Sequence, residues 1–171
     1  LDDVGLKACS SHENYTDIVG NPSSVIEKYR TIGAEIVACP GLPADLHNAA
    51  GYKKAGQELD AAGKTLKEAG FPLVYHNHAV EFCRYEGKTG YEILLDPEQR
   101  TYLGAELDTY WVQFGGADPA QWIERMAGRI PICHFKDMVF SNGSPVMVAI
   151  GEGNLNWPRI LQACAAAGTR Y

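Results

Sequence analysis

The sequence predicts an α/β chain built on a parallel sheet, and three observations predict it. Short apolar runs of strand length alternate with longer stretches of helical spacing. A glycine closes most of the helical stretches just before the next strand run. Polar, titratable residues gather where the strand runs end, which is where parallel α/β proteins place their chemistry.

The elements follow in order. Gly5 to His12 reads as a strand ending in small polar residues and a histidine, with a loop after it. Asn21 is placed to cap a helix with Pro22 at its first position; Val25, Ile26, Tyr29 and Ile32 mark one face, and Gly33 closes it. Ala34 to Cys39 is the next strand, stopped by Pro40. After a loop, Tyr52, Ala55, Leu59, Ala62 and Leu66 repeat at helical spacing up to Gly70. The run from Leu73 into His76, Asn77 and His78 is a strand that ends in chemistry. A polar turn from Arg84 to Thr89 precedes a short helix around Tyr91 to Leu95. Leu103 to Trp111 reads as a strand. Asp118 caps a helix containing Pro119, with Trp122, Ile123 and Met126 on its apolar face. Ile130 to Phe135 is a strand, Ser141 to Pro145 a turn, and Gly151-Glu152-Gly153 a flexible connector. Asn156 caps a last helix that Gly168 closes.

This alternation is a parallel βαβ architecture in a single domain over residues 1–171, with about five strand–helix units. A closed barrel of this type needs eight units in roughly 250 residues. The chain therefore reads either as a small open sheet or as a piece of a larger barrel.

Composition narrows the function classes. The chain is 46% apolar and 21% charged, as globular domains are. A net charge of −6 with no basic run offers nothing to nucleic acid or an acidic membrane. No stretch reaches membrane-spanning length and no signal peptide is visible, so the expected compartment is the cytoplasm. Five cysteines, odd in number and without a CxxC pair, read as reduced, mostly buried thiols. Neither a Gly-x-Ser-x-Gly elbow nor a phosphate-binding glycine loop is present.

Three strand ends carry the candidate chemistry. Tyr75-His76-Asn77-His78 leads to Glu81, Ala105-Glu106-Leu107-Asp108 leads to Trp111, and Ile132-Cys133-His134 leads to Lys136 and Asp137. They are expected to meet around one metal ion. His76 and His78, two apart, share a strand face. Asp108 after an apolar strand reads as a ligand, with a helix cap as its plain alternative.

These stretches, with Gly128-Arg129-Ile130, Gly151-Glu152-Gly153 and Trp157, resemble the sugar phosphate isomerase/epimerase family, the xylose-isomerase-like TIM barrels. The resemblance runs across essentially the whole chain. It implies an incomplete (β/α) barrel, beginning near the third barrel strand and ending at the edge of the eighth. It also implies a divalent-metal-dependent isomerase or epimerase of a sugar or sugar derivative. By position, Asp108 and His134 match the family's metal-binding aspartate and histidine. His76 stands where many relatives carry a glutamate, and no residue matches the glutamate of the last strand. A histidine in that place softens the site towards Mn²⁺ first, and towards Zn²⁺ or Co²⁺ over Mg²⁺; Glu81 is the alternative oxygen ligand.

Enediolate chemistry assigns the remaining roles. Glu81 is the candidate proton shuttle, with a surface pair to Arg84 as its plain alternative. His78 and Lys136 would neutralise substrate oxygens, Lys136 having Asp137 as its plain salt-bridge alternative. His12 would contact a sugar hydroxyl, and Trp111 would offer a flat wall to a sugar face. The expected partner is a small carbohydrate, with no nucleic acid and no membrane. Two other readings are a lyase or dehydratase on a keto-sugar or inositol, and a non-catalytic incomplete barrel that pairs through its open sheet edges into a homo-oligomer.

Overall fold

The computed structural model describes residues 4–171. The elements in chain order are β1 (Ser10–His12), α1 (Tyr15–Gly20), α2 (Pro22–Ile32), β2 (Ile36–Cys39), α3 (Ala49–Glu68), β3 (Leu73–His76), β4 (Arg84–Tyr85), β5 (Lys88–Thr89), α4 (Gly90–Leu94), β6 (Leu103–Asp108), α5 (Thr109–Phe114), α6 (Pro119–Arg125), β7 (Ile132–His134), β8 (Asp137–Ser141), β9 (Ser144–Val148) and α7 (Trp157–Ala167). Five of the strands form one all-parallel sheet in the order β1-β2-β3-β6-β7. The sheet is a half-barrel with helices on its outer side, as an incomplete (β/α) barrel requires.

Most helix signals work as the sequence predicts. The Asn21 side chain accepts from Ser24 N–H, Asn156 accepts from Arg159 N–H, and Asp118 accepts from the first turn of α6. Gly33 and Gly168 end α2 and α7 in the left-handed conformation.

Four segments differ from expectation. The first strand is confined to its last three residues, Ser10–His12. The loop after it contains α1, whose Ile18 is fully buried. The strand expected through Trp111 stops at Asp108, whose Oδ1 accepts from Trp111 N–H and starts α5. The turn expected at Ser141–Pro145 is the tip of a hairpin, β8–β9, with Asn142 and Gly143 both at positive φ.

Strand alternation divides the residues between two layers. Val37, Cys39, Leu73, Tyr75, Leu103, Ala105 and Leu107 face outwards into the main core, with Tyr29, Tyr52, Leu59, Leu66 and Ile160 from the helices. Ile36, Ala38, Val74 and Ile132 face inwards and bury one another as an apolar floor. All five cysteines are free; Cys39 and Cys164 are buried, whereas Cys83 is exposed. No helix among the described residues is long and apolar enough to cross a membrane.

Candidate metal centre

One layer above the apolar floor, towards the carboxyl ends of the strands, the same inner face turns polar. Register places it there: His12 is opposite Ala38, His76 is opposite Glu106, and Asp108 is opposite His134. The rings of His12 and His134 both lie 5.1 Å from the ring of His76, so the three histidines run in a row across the sheet.

Two carboxylates divide that row. Glu106 Oε2 lies 2.7 Å from His12 Nε2 and 3.0 Å from His76 Nδ1. Asp108 Oδ2 lies 3.7 Å from His76 Nε2 and 3.5 Å from His134 Nδ1. Both triplets have one ligand-type atom each within 4.8 Å of the others. The spacings separate their roles. A four-coordinate cation with bonds of about 2.1 Å holds its ligands about 3.4 Å apart. The Asp108 distances match that spacing, and the Glu106 distances are those of hydrogen bonds.

Glu106 is buried, which by itself would raise its pKa. The hydrogen bonds and charges of His12 and His76 outweigh burial and bring it down to about 2. An ionised carboxylate only accepts, so both imidazole nitrogens facing it must donate. In the neutral ring that fixes the proton on Nδ1 and leaves the Nε2 lone pair on the Asp108 side. This is the carboxylate–histidine arrangement that orients metal-binding imidazoles.

Asp108 is completely buried, and its two oxygens differ. Oδ1 caps α5, while Oδ2 makes no directed hydrogen bond. Lys136 Nζ lies 2.7 Å from Oδ2 as an ion pair, but off hydrogen-bonding geometry. A buried carboxylate oxygen facing two imidazole nitrogens at coordination spacing fits a divalent cation. Burial, then the Lys136 charge, lower the pKa of His134, which favours the neutral ring a metal needs.

Two side-chain brackets hold the strand ends in place. Asn77, fully buried, accepts from Asp108 N–H at 3.0 Å through Oδ1 and donates to Asp108 C=O at 3.4 Å through Nδ2. Thr109 Oγ1 accepts from Lys136 N–H at 2.9 Å and donates to Lys136 C=O at 2.7 Å. Each bracket continues the ladder past the last strand residue, so Asp108 and Lys136 have fixed backbones.

The structure brings His12, His76, Asp108, His134 and Lys136 together. The ring of His78 lies 5.1 Å from that of His76 and 5.4 Å from that of Trp111, at the edge of the same layer. The strand has ended before His78, and burial, followed by the neighbouring His76, lowers its pKa. Glu81 does not converge on Asp108. It is buried and takes a hydrogen bond from Tyr75 Oη at 2.7 Å and from His78 N–H at 2.8 Å. It is not a surface partner of Arg84, whose Nη1 donates to Gly87 C=O instead. Nor does Lys136 pair with Asp137 in place of Asp108. Asp137 accepts from Met138, Gly151, Gly153 and Leu155 N–H and from Trp157 Nε1. Sequence reasoning gave Glu106 no role, although its place two residues before Asp108 puts it on the same strand face.

The family model described as xylose isomerase-like TIM barrel matches residues 23–170. No curated protein matches the chain. Among solved structures, a sugar phosphate isomerase/epimerase from Parabacteroides distasonis is 25% identical with a TM-score of 0.82. The match covers 98% of this chain and 62% of that one. A protein named IolI, solved with a zinc atom, is 16% identical with a TM-score of 0.66, covering 96% of this chain and 65% of that one. The probable 3-DHS dehydratase AsbF from Bacillus anthracis is 12% identical with a TM-score of 0.70, covering 96% and 68%.

Proposed function

Because the chain belongs to the family of xylose isomerase-like TIM barrels, we propose that it acts in the metal-dependent isomerisation or epimerisation of a sugar or sugar derivative. The chain spans 62% of the Parabacteroides relative, and the activity proposed is that of the whole protein. The observation that carries the proposal is Asp108 Oδ2. It is buried, lacks a directed hydrogen bond and faces His76 and His134 at the ligand spacing of a cation.

A divalent metal held by His76, Asp108 and His134 would supply the charge that stabilises an enediolate. The chain's own residues do the rest. Glu106 orients His76 through Nδ1, so that the neutral ring would present its Nε2 lone pair to the metal. Lys136 and His78 present a cation and a ring nitrogen to the substrate's oxygens. His12, its side chain partly open to solvent and anchored through Nε2, offers Nδ1 to a hydroxyl. Trp111, beside His78, forms an apolar wall. Glu81, buried and bonded to Tyr75 Oη and His78 N–H, pins the loop that carries His78, and we assign the proton shuttle to a base in the open layer such as His12. The metal is one of Mn²⁺, Zn²⁺ or Co²⁺ by donor softness.

Elimination of water would start from the same enediolate, so product analysis separates isomerase from dehydratase. The test is metal content together with deuterium exchange from ²H₂O into a panel of ketoses. The native protein is expected to retain about one equivalent of metal and to exchange. Asp108→Asn is expected to lose at least about 100-fold in metal affinity, as removal of a charged ligand should. Metal binding unaffected by Asp108→Asn would sink the proposed seat.

A further inference from the structure

We propose that Lys136 is a tethered cation that competes with the metal for Asp108 Oδ2 and is released towards the substrate when the metal binds. The inference rests on the metal seat proposed above and adds a control element to it.

Three observations carry it. Lys136 Nζ sits 2.7 Å from the one oxygen that His76 and His134 also face. A divalent ion at bonding distance from that oxygen would lie within a few ångströms of the ammonium, where like charges repel strongly in a partly buried setting. That repulsion favours one cation over the other at the oxygen. Secondly, the Lys136 backbone cannot yield, because Thr109 Oγ1 engages both its N–H and its C=O. Only the four-carbon stem can move. Thirdly, there is room for it to do so. The Lys136 side chain is 27% exposed and that of its neighbour His134 is 45% exposed, whereas Asp108 is sealed.

The ammonium thus balances the charge of a buried carboxylate whose Oδ2 accepts no directed hydrogen bond. Metal binding exchanges one cation for another at Oδ2 and turns the freed ammonium outwards, to where a substrate oxygen carrying negative charge would lie. Binding becomes ordered, metal before substrate, and metal affinity is set lower than the three ligands alone would give.

The full chain is titrated with Zn²⁺ by calorimetry as wild type, Lys136→Met and Lys136→Arg. Lys136→Met is expected to bind about tenfold tighter or more, and Lys136→Arg within about threefold of wild type, because the charge is kept. A second readout needs no variant. Acylation of Lys136 by an N-hydroxysuccinimide ester, followed by mass spectrometry, is expected to rise several-fold when the wild type is saturated with Zn²⁺. Equal or weaker binding by Lys136→Met, or labelling that Zn²⁺ leaves unchanged, overturns the role of Lys136 and leaves the metal seat standing. No Zn²⁺ binding by wild type or Lys136→Met removes the seat and this inference together.

Discussion

At the scale of single residues, the site depends on what each carboxylate oxygen faces. Asp108 gives one oxygen to a helix cap and turns the other towards His76 and His134, so the cap leaves an oxygen free for the proposed cation seat. Glu106 is the clearest lever. Its folded pKa, about 2, lies below the ordinary 4.5. The stabilisation this represents, on the order of 3 kcal/mol, is fully present above the unfolded value and is lost as pH falls from 4.5 through about 2. Glu106→Gln should therefore lower the melting temperature at pH 7 and flatten its decline between about pH 5 and pH 2. Thermal scans across that range check it; parallel curves for the two proteins would refute it. The same variant should weaken metal binding about 10- to 100-fold, since the group that orients His76 is gone.

At the scale of elements, the connection after β7 is organised by one buried side chain. Asp137 gathers four backbone N–H groups and the Trp157 indole N–H, tying β8, the Gly151–Gly153 loop and the start of α7 together. Burial alone would raise its pKa; the Trp157 and backbone hydrogen bonds outweigh burial and hold it low. Gly153 has no room for a side chain, because a Cβ there would collide with the Asp137 carboxylate. Asp137→Ala leaves those donors without their acceptor, at a cost of about 3 kcal/mol or more. Urea unfolding should show that loss, and hydrogen exchange should show deprotection of Gly151, Gly153 and Leu155 ahead of the sheet. Uniform deprotection would contradict an organising role for Asp137. The exposed Phe140 and Met147 on the hairpin contribute little to this anchoring.

At the scale of the whole molecule, five strands are enough to curl a sheet until its inner face excludes water. Ile36, Ala38 and Val74 are almost completely buried on that face, with Ile132 beside them. The residues after α7 help, since Tyr171 C=O accepts from Cys133 N–H along β7 while Tyr171 Oη reaches Glu35 beside β2. The apolar floor and the polar layer above it are therefore separable. Ile36→Ala should cost about 2–4 kcal/mol in urea unfolding yet leave Zn²⁺ affinity within about threefold of wild type. A large loss of affinity in the folded variant would mean that the floor also sets the geometry of the seat.

What the sequence by itself determined is the alternation of elements, the parallel sheet, the family resemblance and the strand ends that hold the site. These depend on periodicity, capping residues and glycine stops, all of which act over a few residues; Asn21 with Gly33, and Asn156 with Gly168, bound their helices as read. His76, Asp108 and His134 were legible because each is a polar residue ending an apolar strand. Thr109 to Trp111 misled because β-prone side chains there are overruled by the cap at Asp108 and by packing. Only the tertiary structure decided that Lys136 faces Asp108 rather than its neighbour Asp137, that Glu106 locks His76, and that Glu81 is buried against Tyr75. Charges pair with whatever the fold brings within a few ångströms, and in a parallel sheet those partners are some thirty residues away in sequence.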